Sequence, residues 1–209
     1  MRTIKRYIGS AAIISLTLIL ASCGSETSAE SQQVSEDEAA VKEAPEVGYY
    51  VSGEESTLTW KGTLLGVYSH EGTLDVTKGK FTLKGDEIVS GTVRVDMNTI
   101  TPTDDNYSED KTAEMLVGHL SSDDFFAVAD NPQAQVKIGD GKAHLSLRGV
   151  TDQIKIEDID VKVQEGGAEV NCTFVFDRTK FGAMFKTPGE AILSNEVQVN
   201  VTLRGVVAS

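Results

Sequence analysis

Trp60-Lys61-Gly62-Thr63 opens the stretch that decides the fold, Val67-Tyr68-Ser69-His70-Glu71-Gly72-Thr73-Leu74 continues it, and Gly91-Thr92-Val93-Arg94-Val95-Asp96-Met97 ends it. Apolar and polar side chains alternate along it, which is the period of a pleated strand with one buried face. Leu74 and Val76 oppose Thr73 and Asp75, and Val93, Val95 and Met97 oppose Thr92, Arg94 and Asp96. Polar, glycine-containing breaks at Lys78-Gly79 and Lys84-Gly85-Asp86 predict a division into antiparallel neighbours. A meander of this kind begins a β-barrel or a sandwich.

Working outward, strand patterns are predicted over 58–64, 67–76, 80–84 and 87–98, then over 133–138, 142–148, 151–162, 168–177 and 196–206. The last is the clearest, with Val197, Val199, Val201 and Leu203 on one face and Glu196, Gln198, Asn200, Thr202 and Arg204 on the other. In 168–177 the apolar face is Val170, Cys172, Phe174 and Phe176, so Cys172 reads as a small buried hydrophobe rather than a reactive thiol. Gly139-Asp140-Gly141, Glu165-Gly166-Gly167 and Pro188-Gly189 supply turns or loop breaks. One segment departs from the period of two. Lys111 to Leu120 suits a short helix with Met115, Leu116, His119 and Leu120 on one face. Ser121-Ser122-Asp123-Asp124-Phe125-Phe126 predicts a second, capped helical turn. Such an insertion is a natural plug for one end of a barrel.

The amino terminus reads as an export signal. Arg2, Lys5 and Arg6 precede an apolar run over 7–20 that is short for a membrane span. Leu20-Ala21-Ser22-Cys23 then matches the bacterial lipobox, with cleavage before Cys23 and lipid attachment on it. Residues 1–22 are thus a lipoprotein signal, 23–47 an acidic tether too poor in apolar side chains to pack, and 48–209 the folded domain. Acyl chains on Cys23 would anchor the protein to a membrane, and the resemblance of Cys23-Gly24 to the enterobacterial sorting pattern implies the outer membrane facing the periplasm. The expected location is therefore the bacterial cell envelope. With 32 acidic against 19 basic residues the net charge is −13, and no basic stripe is available to follow a phosphate backbone, so nucleic acid is excluded as a partner.

Catalytic signatures are missing from the sequence. His70, His119 and His144 share no metal-ligand spacing, and no nucleophile elbow, phosphate loop or CxxC occurs. The run Asp104 to Asp110 lacks the placement of an EF-hand loop and reads as a solvated loop and helix start. Asp177-Arg178 reads as a structural ion pair or loop anchor, or as a contact for a ligand head group at a barrel mouth.

Several ordered signatures, Trp60-Lys61-Gly62, His70-Glu71-Gly72-Thr73, Asp96-Met97-Asn98-Thr99-Ile100, Gly118-His119-Leu120 with Asp124-Phe125-Phe126, Leu145-Ser146-Leu147-Arg148-Gly149-Val150-Thr151 and Asp177-Arg178-Thr179-Lys180-Phe181-Gly182, together make the chain resemble the YceI-like family. The resemblance implies an all-β, lipocalin-like antiparallel barrel of about eight strands, with the short helical insertion closing one end. It also implies a polyisoprenoid ligand, an isoprenoid quinone or polyprenyl chain, and no required cofactor or metal. Inward residues available to hold the tail are Trp60, Val93, Val95, Met97, Phe174 and Phe176. Met115, Leu116, Phe125 and Phe126 are available at the closing segment, with Phe181, Met184 and Phe185 beyond the predicted strand over 168–177. The alternatives are a non-catalytic envelope stress or surface-interaction module with a solid core, and an enzyme using His70 or His119. A homodimer through barrel-edge pairing is compatible with either barrel reading.

Overall fold

The computed structural model describes residues 43–65, 67–186 and 192–208. The export signal, Cys23, most of the tether and the Pro188-Gly189 break lie outside the described residues. Among those described, the order is β1 (Glu46–Val51), β2 (Thr57–Leu65), β3 (Tyr68–Lys84), β4 (Glu87–Pro102), α1 (Ala113–Ser121), β5 (Gln133–Gly139), β6 (Lys142–Leu147), β7 (Val150–Ile154), β8 (Ile156–Gln164), β9 (Gly167–Asp177), a 3-10 turn at Arg178–Phe181, and β10 (Ile192–Val207). The pairings are antiparallel in the order β7-β6-β5-β4-β3-β1-β10-β9-β8, with β2 also bridging β3 and β10. The expected barrel is present.

It has ten strands rather than about eight, for two reasons. β1 and β2 are halves of one path between β3 and β10: β1 lies against the carboxyl half of β3 (Glu46↔Lys84, Tyr50↔Lys80) and β2 against its amino half (Leu58↔Leu74, Leu64↔Tyr68). The predicted strand over 151–162 is also divided, at Lys155, into β7 and β8. The first strand begins at Glu46, inside the span read as tether.

The Lys78-Gly79 break is not a turn. β3 runs straight through it, and the register against β4 slips between Val76 and Lys78 instead. A Cβ on Gly79 would lie 2.8 Å from Val51 Cγ2, so this glycine marks a close approach of β1 within the strand. Two-residue turns occur where the chain does take a positive φ, at Asp140-Gly141 between β5 and β6 and at Arg148-Gly149 between β6 and β7.

Gly72 is the tightest point of the inner wall. A Cβ there would sit 2.3 Å from the Thr101 carbonyl oxygen and 2.6 Å from Trp60 Cζ2. The first obstacle is backbone and cannot swing away. Gly72→Ala should therefore cost about 3 kcal/mol, the upper part of the overpacking range, read as a lower urea midpoint at unchanged slope. A midpoint equal to that of the parent protein would show that the wall is looser than this.

The helical insertion is shorter than its pattern. Thr112 caps α1 by accepting the Met115 N–H at 3.3 Å. Beyond Ser121 the chain does not start a second helical turn. Ser122 closes α1, and its carbonyl accepts the N–H groups of Phe125 and Ala127 in a tight turn. That turn drives Phe125 into the core at 5% exposure.

Candidate functional site

The inward faces of the strands enclose a cavity of about 150 Å³. Its wall is apolar: Leu58 and Trp60 come from β2, Val93, Val95 and Met97 from β4, Val170, Cys172, Phe174 and Phe176 from β9, and Val197, Val199, Val201 and Leu203 from β10. Leu120, Phe125 and Phe126 close the end beside α1. The few polar groups on the wall are occupied or suppressed. Trp60 Nε1–H donates to the Thr73 carbonyl at 3.3 Å, and Gln135 turns its amide oxygen to Arg94 Nε at 3.1 Å. Burial pushes the Cys172 thiol up to about 11, so it stays neutral.

Of the residues singled out in the sequence, Trp60, Val93, Val95, Met97, Phe125, Phe126, Phe174 and Phe176 are brought together on this wall. Five are not. Met115 and Met184 project outward at 61% and 59% exposure. Leu116 packs on the core from outside the cavity. Phe181 is buried edge-on against Phe176, behind the wall. Phe185 stacks edge-on with His119 at 4.2 Å between ring centres. Sequence reasoning also missed wall residues. Phe81 and Ile88 flank the predicted turn at Lys84, and Ile100 lies past the predicted end of its strand. Leu145, Leu147 and Ile156 share their neighbours' alternation and could have been found from it.

A polar cluster adjoins the cavity on the same face. Gly62 lines the cavity and lies directly opposite His70, and the β2–β3 register continues unbroken from Leu58↔Leu74 to Leu64↔Tyr68. His70 and Tyr68 therefore lie on the inward face, toward the β2–β3 turn. His70 Nδ1 is 3.1 and 3.2 Å from the two carboxylate oxygens of Asp104. Asp104 also accepts the backbone N–H of Glu71 at 3.0 Å, that of Asn106 at 2.9 Å and the Tyr107 hydroxyl at 3.0 Å. The reading of the 104–110 run as a solvated loop holds for Asp105, Asn106 and Ser108 to Asp110, which are exposed, and is corrected at Asp104, whose side chain is only 6% exposed. The cause is the β3–β4 register, since Gly72↔Pro102 and the Thr103 N–H···Glu71 carbonyl bond carry the pairing on and bring Asp104 beside His70.

Burial by itself would raise the Asp104 carboxyl. Hydrogen bonds from Asn106, Glu71, Tyr107 and His70 outweigh it and hold the group at about 2, against an ordinary 3.8. Burial, reinforced by the Asp104 hydrogen bond and charge, pushes the Tyr107 hydroxyl up to about 12. A folded value below the unfolded one means that the carboxylate's contribution is complete above about pH 4 and is lost as pH falls toward 2. The difference corresponds to about 2 kcal/mol. Asp104→Asn should thus lower unfolding free energy by that amount at pH 7, with the gap from the parent closing between pH 4 and 2 in denaturant titrations. A gap that stays constant with pH would rule out the ionised carboxylate as its source.

Arg178 and His119 complete this end. Arg178 is buried, with Nε donating to the Ser194 carbonyl at 3.0 Å, Nη1 to the Ala183 carbonyl and Nη2 to Asn195 Oδ1 at 3.3 Å. Asp177 instead caps the 3-10 turn through Thr179. Of the readings open for Asp177-Arg178, the loop anchor is the one these contacts match. His119 is wedged between the rings of Phe125 and Phe185, and its Nε2 is buried without a partner among the described residues.

A family model for the YceI-like domain matches residues 49–204. The chain belongs to the YceI-like family. No curated protein matches it. Among solved structures, this YceI-like chain is similar to BcnA of Burkholderia cenocepacia at 17% identity and a TM-score of 0.55, covering 76% of this chain and 99% of that one. It is also similar to a polyisoprenoid binding domain from Saccharophagus degradans implicated in plant cell wall breakdown, at 15% identity and a TM-score of 0.58, covering 78% and 99%. At these identities the likeness is one of fold.

Proposed function

We propose that this YceI-like protein binds an apolar isoprenoid lipid inside its barrel, as a non-catalytic carrier anchored to the bacterial envelope through Cys23. The observation that carries the reading is the apolar cavity inside the barrel, whose polar wall atoms are bonded elsewhere or turned away. A dry cavity of about 150 Å³ lined by Leu, Ile and Phe takes a benzene-sized molecule. Each CH₂ moved into it from water contributes about 0.8 kcal/mol, so an isoprenoid tail needs few polar contacts. A tail longer than a few carbons requires the wall to yield, and Met97, with its three rotatable bonds, is the side chain suited to yield. The Saccharophagus domain of like fold supports the same ligand class. The lipobox at Leu20-Ala21-Ser22-Cys23 supports the anchor and the extracytoplasmic location.

The test is extraction of the protein purified from its own cell envelope, followed by mass spectrometry of the extract and of the intact chain. The reading expects a stoichiometric isoprenoid mass and a diacyl or triacyl increment on Cys23. A protein that arrives without lipid and takes up none when quinones or polyprenols are offered would sink it.

A further inference from the structure

Gly62 joins the cavity to the His70 cluster. Gly62 lies on the wall opposite His70, and a Cβ added to it would meet nothing within 4 Å. Gly62 therefore places no side chain between the apolar space and the imidazole. His70 itself is fixed from three sides. The Tyr68 ring meets it edge-on at 4.9 Å, the Tyr107 ring stacks on it at 5.2 Å, and Asp104 holds Nδ1. Asp104 has no capacity left for a ligand, because its two oxygens already serve His70, Glu71, Asn106 and Tyr107. The side chain of His70 keeps 20% of its surface accessible, and its Nε2 has no hydrogen-bond partner among the described residues.

We infer that His70 Nε2 is the acceptor for a hydroxyl head group on the isoprenoid, with Asp104 as the positioning residue and Gly62 as the gap through which tail and head group connect. This rests on the proposed lipid-binding function and narrows it. A carboxylate accepts only, so whenever the imidazole carries a single proton that proton is on Nδ1 and Nε2 is left as an acceptor. A hydroxyl can donate to it. An ether oxygen or a quinone carbonyl cannot. The barrel therefore takes the tail of either kind but discriminates by head group in favour of hydroxyl-headed isoprenoids.

The test offers the full chain an equimolar mixture of farnesol and farnesyl methyl ether and reads the retained ratio by extraction and mass spectrometry. The parent protein is expected to retain the alcohol over the ether by roughly five- to tenfold, the value of one neutral hydrogen bond. His70→Phe should return the ratio to that of the mixture while both lipids are still retained. Gly62→Leu, which does not touch the His70–Asp104 bond, should also return the ratio to that of the mixture by closing the gap, with total retention of both lipids lowered because Gly62 lines the cavity, so the ratio does not depend on His70→Phe folding well. A ratio near one in the parent, or a preference that survives both substitutions, overturns the head-group site while leaving lipid binding intact. Retention of neither lipid by the parent overturns the lipid-binding reading, and the head-group site falls with it.

Discussion

Ala134→Phe should empty the barrel of lipid without unfolding it. Ala134 lies on the cavity wall beside Val95, at 7% exposure, and its Cβ faces the free space. A phenyl ring placed there supplies covalently about what a cavity of this volume holds, a benzene-sized group. Displacing six or so carbons of a tail, at about 0.8 kcal/mol each, removes roughly 4–5 kcal/mol of binding free energy. That is a loss of more than a thousandfold in affinity. The cost to the fold is smaller, about 1–3 kcal/mol, because only the part of the ring that exceeds the free space strains its neighbours. Trp60 is the chain's single tryptophan and lies on the same wall, so its fluorescence reports both uptake and unfolding. A folded variant that still takes up isoprenoid at the parent's affinity would place the ligand outside this cavity. If neither protein takes up lipid, the substitution becomes a pure packing change, as the solid-core surface module requires.

The wall residues of β4, β9 and β10 were legible because a strand with one buried face writes its orientation into every second residue. Val93, Val95 and Met97, and Phe174 and Phe176, all face the cavity as the alternation predicts. The same rule fails at chain reversals. Phe181, Met184 and Phe185 follow the end of β9, where no period applies, and the three take different environments: fully buried, exposed, and packed on His119. Met115 fails for a related reason. Its helix has only a shallow contact with the barrel, so a residue on a nominally apolar face can point to solvent. Gly79 was misread because a glycine that admits a neighbouring strand and a glycine that makes a turn look alike in sequence. Asp104 was beyond sequence reasoning altogether, since its partner is 34 residues away and only the β3–β4 register brings the two together.

Arg178→Ala should be the most damaging of the stability changes, at about 4 kcal/mol. Arg178 is 3% exposed, and its guanidinium spans the two sides of the chain reversal that leads into β10, with Ala183 on one and Ser194 and Asn195 on the other. Truncation leaves two carbonyls and one amide oxygen short of donors in a largely buried setting. A stranded buried acceptor costs on the order of 1–3 kcal/mol, less where water can reach it. The loss also removes the cation from over the Phe125 ring, 5.5 Å from its centre, a contact of about 1 kcal/mol. Burial lowers the guanidinium's pKa from its usual value while the Asp177 charge opposes the shift, and with so high a starting value the group remains a cation. Arg178→Lys should recover little, because one ammonium cannot reach three acceptors that the planar fork meets at separate nitrogens. Since Phe125 closes the cavity beside α1, the same substitutions should speed lipid release as well as lower the urea midpoint. Loss of stability with an unchanged release rate would separate the loop anchor from the cavity's closure. A change of less than 1 kcal/mol would mean that water replaces the guanidinium and that the reversal before β10 is held by other contacts.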